Sequence, residues 1–285
     1  MIRKKIKITA LLSLAISISS FSMDIYTPKA PPSIPMLPMK DEVKIHYYQD
    51  VHTEIIPKII KNQDGIYVIP TNLGENLKNK GLELKLLGVT SQGLISIISN
   101  KKIENIRDLD GENILIGAQG SSPDIISKFL FKKNNIAPKI TYRSTPEIAK
   151  LMILQKGDNA VLPEPMATLV LEKNSKLIRT IVYRDEWRKL TSLSGIPQVG
   201  LYTTSKYSKT HSKEIENFID EYKKNLKDLK KNPDEFIDLA QVNFNINLSK
   251  KGYEESIKYM NLTLIDGKKG DKLVKEYIKI LGENR

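Results

Sequence analysis

Residues 118–135, AQGSSPDIISKFLFKKNN, set a small polar turn directly against the start of a helix. Ser121 or Ser122 can cap that helix, Pro123 suits its first turn, and Asp124 favours its positive end. The same exposed amides can instead hold the anionic or polar group of a ligand. Gly120 permits close backbone approach, while Gln119, Ser121 and Ser122 carry polar side chains beside it.

Three further turns offer comparable groups. KAPPSIP presents Ser33, or else serves as a rigid proline turn; IPTN presents Thr71 and Asn72 at the end of an apolar strand, or simply makes the turn. LPEP mounts Glu164 between two prolines, where it could bind a ligand amine or hydroxyl, or form a structural salt bridge. With an anionic ligand, Glu164 should point away. Arg143 suits either an acidic ligand or a surface ion pair. Trp187, the only tryptophan, could stack on a ring or pack a core. Alternation along a strand sends Tyr47 and Tyr48 to opposite faces, so at most one can meet a ligand. Tyr202 is open to both readings.

Catalytic patterns are missing. The chain lacks G-x-S-x-G, H-E-x-x-H, G-x-G-x-x-G and the P-loop pattern, and His46, His52 and His211 are scattered without metal spacing. There is no cysteine, hence no disulfide, thiolate metal site or cysteine nucleophile. No catalytic residue, metal site or cofactor is therefore assigned.

The elements that must position these turns alternate between apolar strands and amphipathic helices, the pattern of α/β architecture. DIYTPK, VKIHYYQD, GIYVIPTN, LELKLLGVT and LISIISN read as an opening strand-rich block. PPSIPMLPMK reads as a loop with at most a short helical turn. NILIGAQ is a buried strand running into the first turn, and PDIISKFLFKKNN is its helix. TPEIAKLMILQKG reads as a helix capped by Thr145, NAVLPEP as strand and turn, MATLVLEKN as helix and LIRTIVYR as strand. Lysine-rich helical regions follow near 211–241 and 249–283.

Residues 1–22 have a basic head at Arg3, Lys4, Lys5 and Lys7, an apolar run from Ile8, and Ser20 and Ser22 around Phe21. This reads as a secretory signal cut near Ser22, too short for a membrane span. Without a cysteine near the cut, lipoprotein anchoring is excluded. The expected location is outside the cytoplasm, and periplasmic if the organism has two membranes. The formal charge of +12 loses four positives with that leader. The remaining lysines sit in mixed runs such as DEYKKNLKDLKKNPDE, which read as solvated helix faces rather than a nucleic-acid surface.

Three phrases, in order, resemble the extracytoplasmic substrate-binding proteins of ABC transporters in the nitrate, sulfonate, taurine and thiamine-precursor group. They are DLDGENILIGAQGSSPDIISKFLFKKNNI, TPEIAKLMILQKGDNAVLPEPMATLVLEKN and EWRKLTSLSGIPQVGLYTTSKYSKTHSKEIENFIDEY. The resemblance implies an α/β, two-lobed periplasmic-binding-protein fold of type II, with a ligand cleft between the lobes. Lobe 1 would comprise 24–110 and, after the chain returns, 200–285 with the C-terminal helices. Lobe 2 would be 111–199. It implies a monomer that hands a small molecule to an ABC permease driven by a cytoplasmic ATPase. Ser33, Thr71, Asn72, Gln119, Gly120, Ser121, Ser122 and Glu164 would then be the ligand-binding candidates. The thiamine-pyrimidine synthases share the scaffold but carry a cysteine-rich motif that is missing here. An extracytoplasmic enzyme or sensor domain on this scaffold is the alternative.

Overall fold

A computed structural model describes residues 23–282, so the leader expected at 1–22 lies outside the described residues. Eleven strands form two mixed sheets. The first contains β1 (Met23–Pro28), β2 (Val43–Tyr48), β3 (Ile66–Pro70), β4 (Leu84–Ser91), β10 (Val199–Thr204) and β11 (Leu262–Asp266), in the order β11-β4-β10-β3-β1-β2. The second contains β5 (Ile95–Ser99), β6 (Asn113–Ile116), β7 (Lys139–Tyr142), β8 (Asn159–Pro163) and β9 (Ile178–Val182), in the order β7-β6-β8-β5-β9. The helices are α1 (Ile56–Ile60), α2 (Thr71–Asn79), α3 (Ser122–Asn134), α4 (Thr145–Ile153), α5 (Met166–Lys173), α6 (Tyr183–Leu190), α7 (Ser205–Thr210), α8 (Ser212–Lys231), α9 (Asp234–Phe244), α10 (Lys250–Met260) and α11 (Gly267–Gly282).

β1 runs parallel to β2 and β3, and β6 parallel to β7 and β8. Parallel pairing puts the C-terminal ends of each group on one edge, where the polar turns follow. Each sheet is covered on both faces by apolar clusters. Ile25, Val68 and Leu201 belong to one cluster of the first sheet, and Tyr67, Ile69 and Val89 to another. Ile97, Ile114 and Val161 belong to one cluster of the second sheet, and Ile98, Ala160 and Leu162 to another. Such doubly covered strands read as continuous apolar runs, as GIYVIP and NAVLP do.

The chain crosses to the second sheet between Ser91 and Ile95, well before residue 110, so LISIISN does not extend the opening block. The run is apolar on both faces, and periodicity cannot say which sheet owns such a strand. The return runs from Leu190 to Val199, and the two crossings bond to each other: Ile196 N donates to Gln92 O and Gln198 N to Ser91 O, each at 3.1 Å.

Three local expectations change, and one local feature is added. Residues 31–39 form a buried 3₁₀ helix rather than a loop, because Pro31 and Pro32 fill its first positions, where a missing N–H costs nothing. Before α1 the chain makes a π-helical turn over 51–55, held by Asp50, which accepts from the His52 and Thr53 amides. α4 is capped by Ser144 instead of Thr145: Glu147 accepts from the Ser144 amide at 2.9 Å and its hydroxyl at 2.6 Å. The expected helical region 249–283 is broken by β11, since Asn261 and Gly267 take positive φ on either side of it. Among the described residues no helix is long and apolar enough to cross a membrane.

Candidate ligand cleft

Gln198, in the return crossing, ties the two main turns together. Its carbonyl accepts from Thr71 N at 3.0 Å at the start of α2, and its side-chain oxygen from Leu94 N at 2.8 Å in the other crossing. Its Nε2 donates to Ser122 Oγ at 3.4 Å at the start of α3. One buried residue thus joins both crossings to a turn from each sheet, through its backbone carbonyl and its side chain. Sequence reading missed Gln198; its place in GIPQVGLY, between a turn and a strand, was the available signal.

The serine turn leaves one hydroxyl unused. Ser121 occupies the N-cap position of α3, yet its side chain makes no capping bond and its buried Oγ has no hydrogen-bond partner. Asp124, in the first turn of α3, folds back on the loop instead, accepting from Gly120 N at 2.8 Å, from Tyr142 OH at 2.8 Å and from Lys128 Nζ at 2.9 Å. Gln119 and Gly120 are exposed, and Gly120 adopts φ +79°, a conformation open to glycine. At the first sheet's turn, the half-buried Asn72 likewise leaves its Oδ1 without a partner. Buried polar atoms normally find partners, so two orphans on turns joined through Gln198 mark a place where a ligand can supply them.

Other candidates have their side chains engaged. Ser33 is buried, 2.8 Å from Thr27 Oγ1, and donates to Pro28 O at 2.6 Å. Thr71 Oγ1 donates to Pro197 O. Glu164 is buried beside Arg179, with Oε1 2.6 Å from Arg179 Nη1 and off the line of a hydrogen bond. Its Oε2 accepts from Thr168 Oγ1 and Ser256 Oγ, each at 2.8 Å. Of the two readings open for Glu164, these contacts are those of the structural salt bridge. It also has a cis peptide bond to Pro165.

The aromatic candidates divide as well. Trp187 is fully buried between Phe129 and Tyr277, so it packs a core. Tyr48 and Tyr202 are buried, the first donating to Val68 O at 2.7 Å. Tyr47 is half-buried at the end of β2 with its hydroxyl unpartnered, and burial pushes its pKa up to about 12. Lys29 Nζ lies 5.3 Å from the centre of its ring. Arg143 is exposed and donates to Tyr142 O at 2.7 Å. Among the described residues no three His, Asp or Glu side chains gather as metal ligands. Two surface hollows, of about 390 and 510 Å³, lie apart from these turns, one beside Met23 and Phe218 and the other beside Leu229 and Ile257.

No protein-family model matches the sequence, and no curated protein does. Solved structures match over nearly the whole chain. An ABC transporter structure from Parabacteroides distasonis superposes with a TM-score of 0.77 at 18% identity, covering 92% of each chain. The periplasmic aliphatic sulphonate binding protein SsuA from Escherichia coli gives 0.74 at 13% identity, covering 93% of this chain and 92% of its own. The ligand-binding component of an ABC-type import system from Staphylococcus aureus, with zinc bound, gives 0.70 at 14% identity over 92% and 91%. At such identities the similarity speaks for the backbone, and the backbone is the α/β fold of the periplasmic binding proteins.

Proposed function

We propose that the protein is the solute-binding component of an ABC importer, capturing a small molecule outside the cytoplasm and delivering it to a membrane permease. The fold and the roles of its structural neighbours support the general role. The observation that carries the site is the pair of unpartnered atoms, Ser121 Oγ and Asn72 Oδ1, on turns joined through Gln198. In this reading Asn72, Gln119, Gly120, Ser121 and Ser122 touch the ligand. Ser33, Thr71 and Glu164 hold the scaffold around them.

The proposed ligand is a small anion. Asp124 and Glu75, the carboxylates nearest these turns in sequence, are each engaged by a lysine and by hydroxyl or amide donors, and Glu164 by Arg179, which leaves none of them for a cationic ligand. Lys29 and Arg143 follow β1 and β7 at the edges where the turns lie and make no ion pair among the described residues, which favours negative charge.

Thermal unfolding of chain first unfolded and refolded to strip bound solute tests this. Alkylsulfonates, taurine and nitrate form one arm, thiamine pyrimidines and riboflavin the other. A ligand at about a hundred times its dissociation constant adds roughly 2.7 kcal/mol of stability. A dose-dependent rise with the first arm, lost in S121A/S122A at unchanged basal stability, is the expected result. A response to the pyrimidines alone would overturn the anion reading, and an unchanged response in the double variant would remove the serine turn from the site.

A further inference from the structure

α11 has one buried face and one charged face in strict opposition. Gly270, Val274, Tyr277 and Leu281 are buried. Lys268, Lys272, Lys275 and Lys279 repeat the same four-three-four spacing two positions earlier, which puts them on the far side of the helix, and all four are exposed, as is Lys269. Lysines at these spacings are neighbours and repel one another.

Several lysines on other helices are neutralised. On α8, Lys224 lies 2.9 Å from Glu221, and Lys223 lies 2.7 Å from Asp266. On α10, Lys258 lies 2.6 Å from Glu255 and Lys250 lies 3.1 Å from Asp234. On α11, Lys268, Lys269, Lys272 and Lys275 make no ion pair with any described residue, although Asp271 and Glu276 stand at suitable spacings. Glu276 instead accepts from Ser192 Oγ at 2.7 Å.

We propose that this lysine face docks the protein on an anionic lipid bilayer. Lys268, Lys272 and Lys275 form a straight line of cations about 10 Å long, from seven steps at 1.5 Å rise. It carries no aromatic platform for stacking bases, which disfavours single-stranded nucleic acid. A laterally extended surface of mobile headgroup charge matches such a line, and each lysine near that surface adds to the attraction. Val274 packs into a cluster of the first sheet, and Tyr277 and Leu281 into one of the second, so docking through α11 engages both lobes. The proposal stands apart from the ligand reading, since it uses no cleft residue.

The test is co-sedimentation of the chain with phosphatidylcholine vesicles, with and without phosphatidylglycerol. The protein should sediment with the anionic vesicles at low ionic strength and be released by salt. K268Q/K272Q/K275Q should weaken this about a hundredfold, from three lost charges. A control with the same charge change at exposed lysines elsewhere, K80Q/K139Q/K156Q, should stay within about twofold. Equal losses in the two variants would reduce the effect to bulk charge and overturn the proposal. So would vesicle binding unchanged in the α11 variant, binding that resists salt, or capture by soluble heparin without binding to vesicles. Circular dichroism of both variants checks that the fold is retained.

Discussion

Arg179→Met is the perturbation for which the structure gives the firmest magnitude. The Arg179 side chain is 9% exposed and that of Glu164 fully buried, with 2.6 Å between their nearest charged atoms. Arg179 also donates to Ser96 Oγ at 2.8 Å and to Thr168 Oγ1 at 2.9 Å, and its guanidinium stacks 3.8 Å above the Tyr259 ring. Removing it strands a buried carboxylate with only the Thr168 amide and the Thr168 and Ser256 hydroxyls, a loss of about 3–5 kcal/mol. At about 2–4 °C per kcal/mol for a chain of this size, Tm should fall by roughly 6–20 °C. Arg179→Met combined with Glu164→Leu removes both charges and should recover most of that loss, because a well-packed apolar pair often matches a buried ion pair. Denaturant titration of the wild type, both single variants and the double variant closes the cycle. A single-variant loss below about 1 kcal/mol, or strictly additive losses in the double variant, would refute the reasoning.

Three more outcomes follow from the packing. An added Cβ at Gly74 would meet the Tyr202 ring at 2.3 Å, so Gly74→Ala should cost about 1–3 kcal/mol by overpacking, read as a lower denaturation midpoint. At Gly252 the added atom would meet Glu172 Oε2 and Leu248 Cδ1, each at 2.4 Å, so Gly252→Ala should destabilise the α10–α5 contact and speed hydrogen exchange in both helices. Burial holds the Tyr47 and Tyr253 phenols up to about 12 against the ordinary 10.0. Their raised folded-state pKa favours the neutral form, so the stability it brings is complete below about pH 10 and is lost as pH rises through about 12. In difference titrations against Tyr47→Phe and Tyr253→Phe, the phenolate absorbance of these two should therefore rise late and together with loss of fold. A reversible rise near pH 10 with the fold intact would contradict this burial.

Much of the site was legible because turn chemistry is local. Gly120, Ser121 and Pro123 announce a strand-to-helix turn in their own sequence, and the structure puts α3 where Pro123 requires. Partners distant in sequence were not legible. Glu164 meets Ser256 across 92 positions, and nothing in LPEP reveals that hydroxyl. Gln198 binds Leu94 from 104 positions away. Strand ownership was hidden for the same reason, since LISIISN is apolar on both faces and would suit either sheet. β11 was concealed among lysine-rich helices because a five-residue strand carries too few residues to establish a period.

The position of α11 has a consequence for the order in which the protein becomes complete. The second sheet has its last strand by Val182, yet the core on one of its faces draws Tyr277 and Leu281 from a helix that comes after every strand. Trp187 is sealed on one side by Tyr277. A chain lacking α11 is therefore left with an open core on this face of the second sheet. Truncation before Gly267 should shift Trp187 emission to the red and leave the second lobe open to protease. Unchanged emission would mean that this lobe closes without help from the helix.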